Sequence, residues 1–294
     1  MKRIHAIVGA VMGLAVAISA HPVLGGDMLE KRQAPGGLSD TDILQFALTL
    51  EHLESNFYSQ GFQKFPDSDF ISLGLKQSDV DTLKQISKTE ATHVSTIQSV
   101  LQKLGQTPVQ PCTYNFGFTN AAGMVATARI LEAVGISAYL GAAPLVTSKD
   151  VLTAAGTIVT VESRHQTFIR AALAAQPVPA AFDTPLGVRG VFTLAAPFIQ
   201  SCPQGSALKI TPFSTLQVNN NMNITAGTTL SLLDPNQSQQ LGSSTFCAFT
   251  DGSGTKFVQF SGGQCAVPQG LAGEVYLTMS KSGSSLSDDQ VLAG

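Results

Sequence analysis

The chain has 294 residues, 44% of them hydrophobic, with 13% charged and a formal net charge of −3. That is enough apolar material for a substantial core and for more than one domain. The charge-poor balance argues against a nucleic-acid binder or a protein held electrostatically on an acidic membrane, and the polar residues present suit an exported protein.

Lys2 and Arg3 precede an apolar run from Ala6 to Ile18 and the small residues Ser19 and Ala20. This is the layout of a signal peptide over residues 1–20, too short and wrongly flanked for a membrane span. The dibasic pair Lys31-Arg32 then closes a pro-segment, residues 21–32, leaving Gln33 as the mature N-terminus. The expectation is a secreted, extracellular protein with no transmembrane segment, in free or cell-wall-associated form.

After a Pro/Gly-rich lead-in, Ser39-Asp40-Thr41-Asp42 has capping-box form and opens a helix to about Gln60, with Ile43, Phe46, Leu50, Leu53 and Phe57 as its apolar stripe. Residues 61–77 read as a loop. Ser78-Asp79-Val80-Asp81 reads as a second capping box, for a helix to Leu104 stopped by Gly105. A long connection to Phe118 carries Pro108, Pro111 and Cys112. A third helix follows from about Asn120 to Ala143, ended by Pro144. Thr147-Ser148-Lys149-Asp150 starts a fourth, to about Ala175. Short, long, short connections describe two helical hairpins joined by a crossover, the ferritin-like arrangement of a four-helix bundle.

Residues 176–204 are Pro- and Ala-rich, with Pro185 placed to start a short fifth helix to about Ile199, so that 39–204 reads as the bundle. Residues 205–294 change character. Strands are expected at Ala207–Phe213, Thr228–Leu233, Thr245–Thr250, Lys256–Phe260 and Glu274–Met279, with turns at Asp251-Gly252 and Gly262-Gly263, as a small all-β, sandwich-like domain. The chain's end just past Ser287-Asp288-Asp289 suggests that a last strand lies beyond Gly294. Cys112, Cys202, Cys247 and Cys265 are even in number and lack zinc spacing, so two disulfides are expected. Three pairings are open; pairing within each region selects Cys112–Cys202 and Cys247–Cys265. Asn223-Ile224-Thr225 and Asn236-Gln237-Ser238 are N-glycosylation acceptors.

One pattern occurs twice. Glu90-Ala91-Thr92-His93 and Glu162-Ser163-Arg164-His165 each place a carboxylate and an imidazole three residues apart, on one face of a helix, where both can hold one metal ion. Glu51 and Glu132 sit in the other two helices, each with a tyrosine seven residues on, Tyr58 and Tyr139. A glutamate from each of two helices plus Glu-x-x-His from the other two is the donor set of a di-metal carboxylate bundle. Counted from the turns at about 1.5 Å of rise per residue, all four glutamates fall near mid-bundle. Four carboxylates neutralise two divalent ions, so two iron or manganese ions are the expected cofactors. Ordinary surface placement of these residues conflicts with their usage. Of six glutamates after Arg32, five (Glu51, Glu54, Glu90, Glu132, Glu162) lie in the four helices, while Ser, Thr, Gln and Lys supply generic polarity. Glu54 is an alternative ligand or a neighbour of the ligands. Tyr58 and Tyr139 either hydrogen-bond ligand carboxylates or are plain buried aromatics. His52 reads as solvated, and Arg129, Arg164 and Arg170 as surface-paired.

The stretch from Phe46 to Tyr58, FALTLEHLESNFY, together with Glu90-x-x-His93, Pro111-Cys112 and Phe192-Thr193-Leu194-Ala195-Ala196-Pro197-Phe198, resembles the secreted fungal ferritin-like family. That family includes stress-response and late-sexual-development proteins and is similar to plant desiccation-related proteins. The resemblance covers roughly Ser39 to Cys202 and implies a ferritin-like fold in an extracellular setting, without a settled reaction. Three readings follow: an oxidoreductase acting on O2 or peroxide, a metal-binding protective protein without turnover, or a cell-wall-associated protein using the β-domain.

Overall fold

The computed structural model describes residues 37–218, 224–233 and 245–294. The leader, the dibasic pair and both glycosylation acceptors, Asn223 and Asn236, lie outside the described residues. The described chain divides into two compact units, one of residues 37–177 with Pro185–Pro212, the other of Val178–Thr184 with Phe213–Gly294. The Pro/Ala-rich connection is thus shared, its residues 178–184 belonging with the β-rich unit.

The first unit is built on α1 (Asp40–Lys64), α2 (Asp67–Ile71), α3 (Gln77–Lys103), α4 (Ala121–Ala142), α5 (Lys149–Ala172) and α6 (Val188–Ala195). At the start of α1 the Asp42 amide donates to Ser39 Oγ at 3.2 Å and the Ser39 amide to the Asp42 carboxylate at 3.0 Å, the expected capping box. Two other starts differ from expectation. Lys76, not Ser78, caps α3, because Asp79 reaches back to the Lys76 amide at 2.8 Å and leaves Ser78 inside the first turn. Ser148, not Thr147, caps α5, since Asp40 of α1 takes both the Thr147 and the Ser148 amides at 2.8 Å. The expected loop 61–77 contains the one-turn α2, which buries Phe70. The short helix expected from Pro185 starts at Val188, three residues later, and ends in a 3-10 turn at Ala196–Phe198.

α1 packs chiefly on α3 and α4 chiefly on α5, with α1 against α4 joining the pairs. Consecutive residues Leu131 to Ala138 of α4 are all buried, as befits a helix apolar on every side. Ala121–Leu145 is long and apolar enough to cross a membrane, but most of its apolar window is buried among its neighbours, so its hydrophobicity serves the core. By contrast α3 and α5 each bury one stripe. In α3 that stripe is Val80, Leu83, Ile86, Glu90, His93, Ile97 and Leu101. Glu90 and His93 therefore stand where helical periodicity calls for apolar side chains.

The crossover from Gly105 to Asn120 is pinned to α1. Gln45 donates to the Thr107 carbonyl at 2.8 Å and accepts from the Val109 amide at 2.9 Å. His52, expected in solvent, is 5% exposed, its Nε2 lying 3.1 Å from the Val109 carbonyl. Arg170, expected at the surface, is 6% exposed and donates to the Gln176 carbonyl at 3.4 Å. Short strands β1 (Thr113–Tyr114) and β2 (Ile199–Ser201) pair antiparallel, and the disulfide Cys112–Cys202 closes the crossover beside them.

In the second unit β3 (Gln217–Val218), β4 (Thr229–Leu233) and β7 (Gln264–Ala266) form one antiparallel sheet. The other has the order β6 (Gly254–Gln259), β5 (Phe246–Asp251), β8 (Tyr276–Ser280), β9 (Val291–Ala293). Leu230, Leu232 and Cys265 of the first sheet pack with Cys247, Phe249 and Met279 of the second, and Cys247–Cys265 links the two covalently. No strand forms at 207–213, where Lys209 to Pro212 lack ladder partners and Pro212 removes a donor. After the Ser287–Asp289 turn the chain forms β9.

Candidate metal centre

The six residues singled out by spacing come from four helices and meet. Glu51 enters from α1, Glu90 and His93 from α3, Glu132 from α4, Glu162 and His165 from α5. The four carboxylates are at most 1% exposed and both imidazoles 7%. His93 Nδ1 lies 3.3 Å from Glu51, 3.2 Å from Glu90 and 3.1 Å from Glu162; His165 Nδ1 lies 2.9 Å from Glu90 and 3.2 Å from Glu132. The two rings face each other, 6.3 Å apart and tilted by 26°.

Two groups of donors result, each with ligand atoms within 4.8 Å of one another: Glu51, Glu90, His93 and Glu162, and Glu90, Glu132, Glu162 and His165. Glu90 and Glu162 belong to both. Spacing alone treated the four glutamates alike, whereas the packing separates two shared carboxylates from two that each serve one side. Each side can hold a metal ion.

Two tyrosines brace the unshared pair. Tyr58 donates to Glu132, and Tyr139 donates to Glu51 at 2.5 Å. Burial, reinforced by the facing carboxylate, pushes both phenols well above their usual range and keeps them as donors. Glu54, 4% exposed, lies beside the cluster without joining either group of donors. It has room because α4 presents Gly135, where a Cβ would fall 2.8 Å from Glu54 Oε1 and 3.3 Å from Glu162 Oε2. Nothing in the sequence marked that glycine; its only signal is a small residue one helical turn from Glu132.

With no cation the electrostatics are unfavourable. Burial and then the neighbouring carboxylates raise Glu54 and Glu162 well above the usual carboxylate range, and burial also raises Glu51 and Glu132. Burial opposes charge on the imidazoles, yet Glu162, Glu51 and Glu90 push His93 up to about 12, and Glu132 and Glu90 push His165 up to about 10. Even so, Glu51 Oε2, Glu90 Oε1 and Glu162 Oε1 have only an imidazole Nδ1 nearby, at 2.9–3.3 Å and outside hydrogen-bond geometry, and Glu162 Oε2 has no hydrogen-bond partner. Buried carboxylate oxygens without partners are costly, several kcal/mol per ion on the order-of-magnitude scale for buried charge. A carboxylate-and-imidazole donor set of this kind suits iron, manganese or zinc-like divalent ions. Both groups of donors are buried and close enough to share a ligand, so the residues fit metal cations.

Residues 39–175 match the ferritin-like domain family. The chain is similar to protein rds1 of Schizosaccharomyces pombe (strain 972 / ATCC 24843), 26% identical over 164 residues, which is 56% of this chain and 40% of that protein. The chain therefore spans well under half the length of this relative. A crystal structure of a conserved hypothetical protein, rv2844, from Mycobacterium tuberculosis covers 49% of this chain and 96% of its own at 21% identity, with a TM-score of 0.39.

Proposed function

We propose that this ferritin-like domain holds two iron or manganese ions and works as a secreted oxidoreductase using O2 or peroxide. The observation that carries the reading is the sharing of Glu90 and Glu162 between two buried donor groups, with Glu162 Oε2 left without a hydrogen-bond partner. Glu90 and Glu162 would belong to both sets of ligands, with Glu51 and His93 completing one and Glu132 and His165 the other. A bound pair of such ions supplies redox equivalents toward O2 or peroxide. Tyr58 and Tyr139 hold Glu132 and Glu51 in orientation. Glu54 stands beside the cluster, where burial and the neighbouring carboxylates raise it well above the usual carboxylate range in the metal-free site. The aliphatic surroundings of the helical core exclude water. An exported setting is supported by the leader-like layout of residues 1–20 and by the two disulfides.

The test is metal analysis of protein purified from its native secretion route, followed by Fe(II)-oxidation and peroxide-turnover assays. Two ions per chain with turnover are expected. Stoichiometric uptake without O2 or peroxide consumption would replace the oxidoreductase with a protective metal binder. A well-folded protein that takes up no metal would end the reading.

A further inference from the structure

A cavity of about 170 Å³ runs through the helical unit from the carboxylate cluster toward the α4–α5 turn. Its inner end is formed by Glu51, Glu54, Gly135 and Tyr139, and its outer end reaches Asp150, which is exposed at the start of α5. Between these ends the walls are aliphatic, with Ile43, Ile97, Val100 and Ile158 contributed by three helices. Small side chains keep it open: Ala47 on α1, Ala138 and Ala142 on α4, Ala154 and Ala155 on α5. A leucine at one or two of these positions would fill it, as interiors are normally filled to close packing with few voids larger than a water.

An apolar cavity of this size does not hold ordered water, which needs several polar partners; engineered cavities of about 150 Å³ stay dry and take up benzene-sized molecules. Its shape narrows the occupant further. From Ile43 to Glu54 the cavity follows about three turns of α1, roughly 16 Å, the length of an extended chain of about ten carbons. Asp150 places a carboxylate at the outer end, so a carboxylate head would meet like charge there, and the aliphatic walls between the ends carry no charge. The geometry points to an uncharged, unbranched aliphatic compound of medium chain length as the ligand of this cavity, with its inward end against Glu51, Glu54 and Tyr139. The inference deepens the proposed function by naming the substrate class, and it rests on that reading for the reaction but not for binding.

1-Decanol is the probe. Titrated calorimetrically into the full protein, up to its aqueous solubility and at several temperatures, it is expected to bind once per chain with a negative heat-capacity change, the mark of apolar burial. Ala138→Leu fills the cavity near its inner end and Ala155→Leu fills it on the α5 side; each should weaken decanol at least tenfold and leave metal stoichiometry as in the wild type. Decanoate should bind at least tenfold more weakly than decanol. Absence of decanol binding to the folded wild type, or binding unaltered in both leucine variants, would overturn the inference. Thermal unfolding of each variant identifies one that fails to fold, and the other then decides. If decanol binds but no metal does, the cavity assignment stands and the oxidoreductase reading falls; metal uptake without decanol binding gives the reverse.

Discussion

Tyr58 on α1 donates its hydroxyl to Glu132 on α4, and the relationship is returned, since Tyr139 on α4 donates to Glu51 on α1. Each glutamate and the tyrosine seven residues after it thus serve different sides of the site. A carboxylate oriented by such a hydrogen bond binds a metal better, and loss of the orienting partner commonly costs 10–100-fold in affinity. Tyr58→Phe and Tyr139→Phe should each lower Mn(II) or Fe(II) affinity by about that factor while the protein stays folded. Metal titration by calorimetry, with circular dichroism as the folding control, checks this.

Sharing of Glu90 and Glu162 predicts unequal effects among the glutamates. Glu90→Ala and Glu162→Ala should abolish uptake of both ions, whereas Glu51→Ala and Glu132→Ala should each leave about one ion per chain. Elemental analysis distinguishes these outcomes directly. One ion retained in the Glu90→Ala protein would show that the carboxylate is not shared.

The protonation state of the metal-free site yields a pH dependence. Glu54 and Glu162 titrate in the folded protein above their ordinary value of 4.5, and the imidazoles, ordinarily 6.5, titrate at about 12 and about 10. Both kinds of group bind protons more tightly folded than unfolded, so their contribution to stability is fullest below the unfolded values. It falls as pH rises through the folded ones. The metal-free protein should therefore lose thermal stability steadily from about pH 5 upward. Metal uptake, which must displace those protons, should strengthen over the same range. Melting curves of metal-free and metal-loaded protein between pH 5 and 9 should diverge; parallel curves would contradict this account of the site.

Cys112 and Cys202 close a loop of 90 residues and Cys247 and Cys265 one of 18. On the chain-entropy scale the longer loop constrains the unfolded chain more, by about 4–5 kcal/mol against about 3. Paired Cys→Ala replacement at 112 and 202 should accordingly lower stability more than at 247 and 265. Chemical denaturation of the two double variants, each followed through its own unit, measures the difference.

Gly141 reverses an ordinary rule. Alanine in place of a helical glycine usually stabilises by about 0.5–1 kcal/mol. Here a Cβ would lie 1.9 Å from the Leu186 carbonyl oxygen, and the Leu186 amide is already held 3.0 Å from the Ser137 carbonyl. Backbone, unlike a long side chain, cannot swing aside, so Gly141→Ala should destabilise by about 1–3 kcal/mol, read from the melting temperature.

Much of the site was legible because its signals are local. Three-residue spacing puts Glu90 with His93, and Glu162 with His165, on one helix face whatever those helices pack against, and turn residues locate all four long helices. The Ser39–Asp42 cap likewise follows from neighbours in sequence, while four cysteines left three pairings open and the structure has the one favoured by region. What stayed hidden depends on the rotation and height of one helix against another. Helical period cannot tell Glu90 and Glu162, each reaching across to both sides, from Glu51 and Glu132. It cannot say that Gly135 makes room for Glu54, or that the Val109 carbonyl takes His52 out of solvent. Five alanines enclose a void only when α1, α4 and α5 stand at their actual separations. The chain alone decided which residue types share a helix face; the packing of four helices decided which carboxylate each imidazole meets, because those distances are set across the bundle by side chains far apart in sequence.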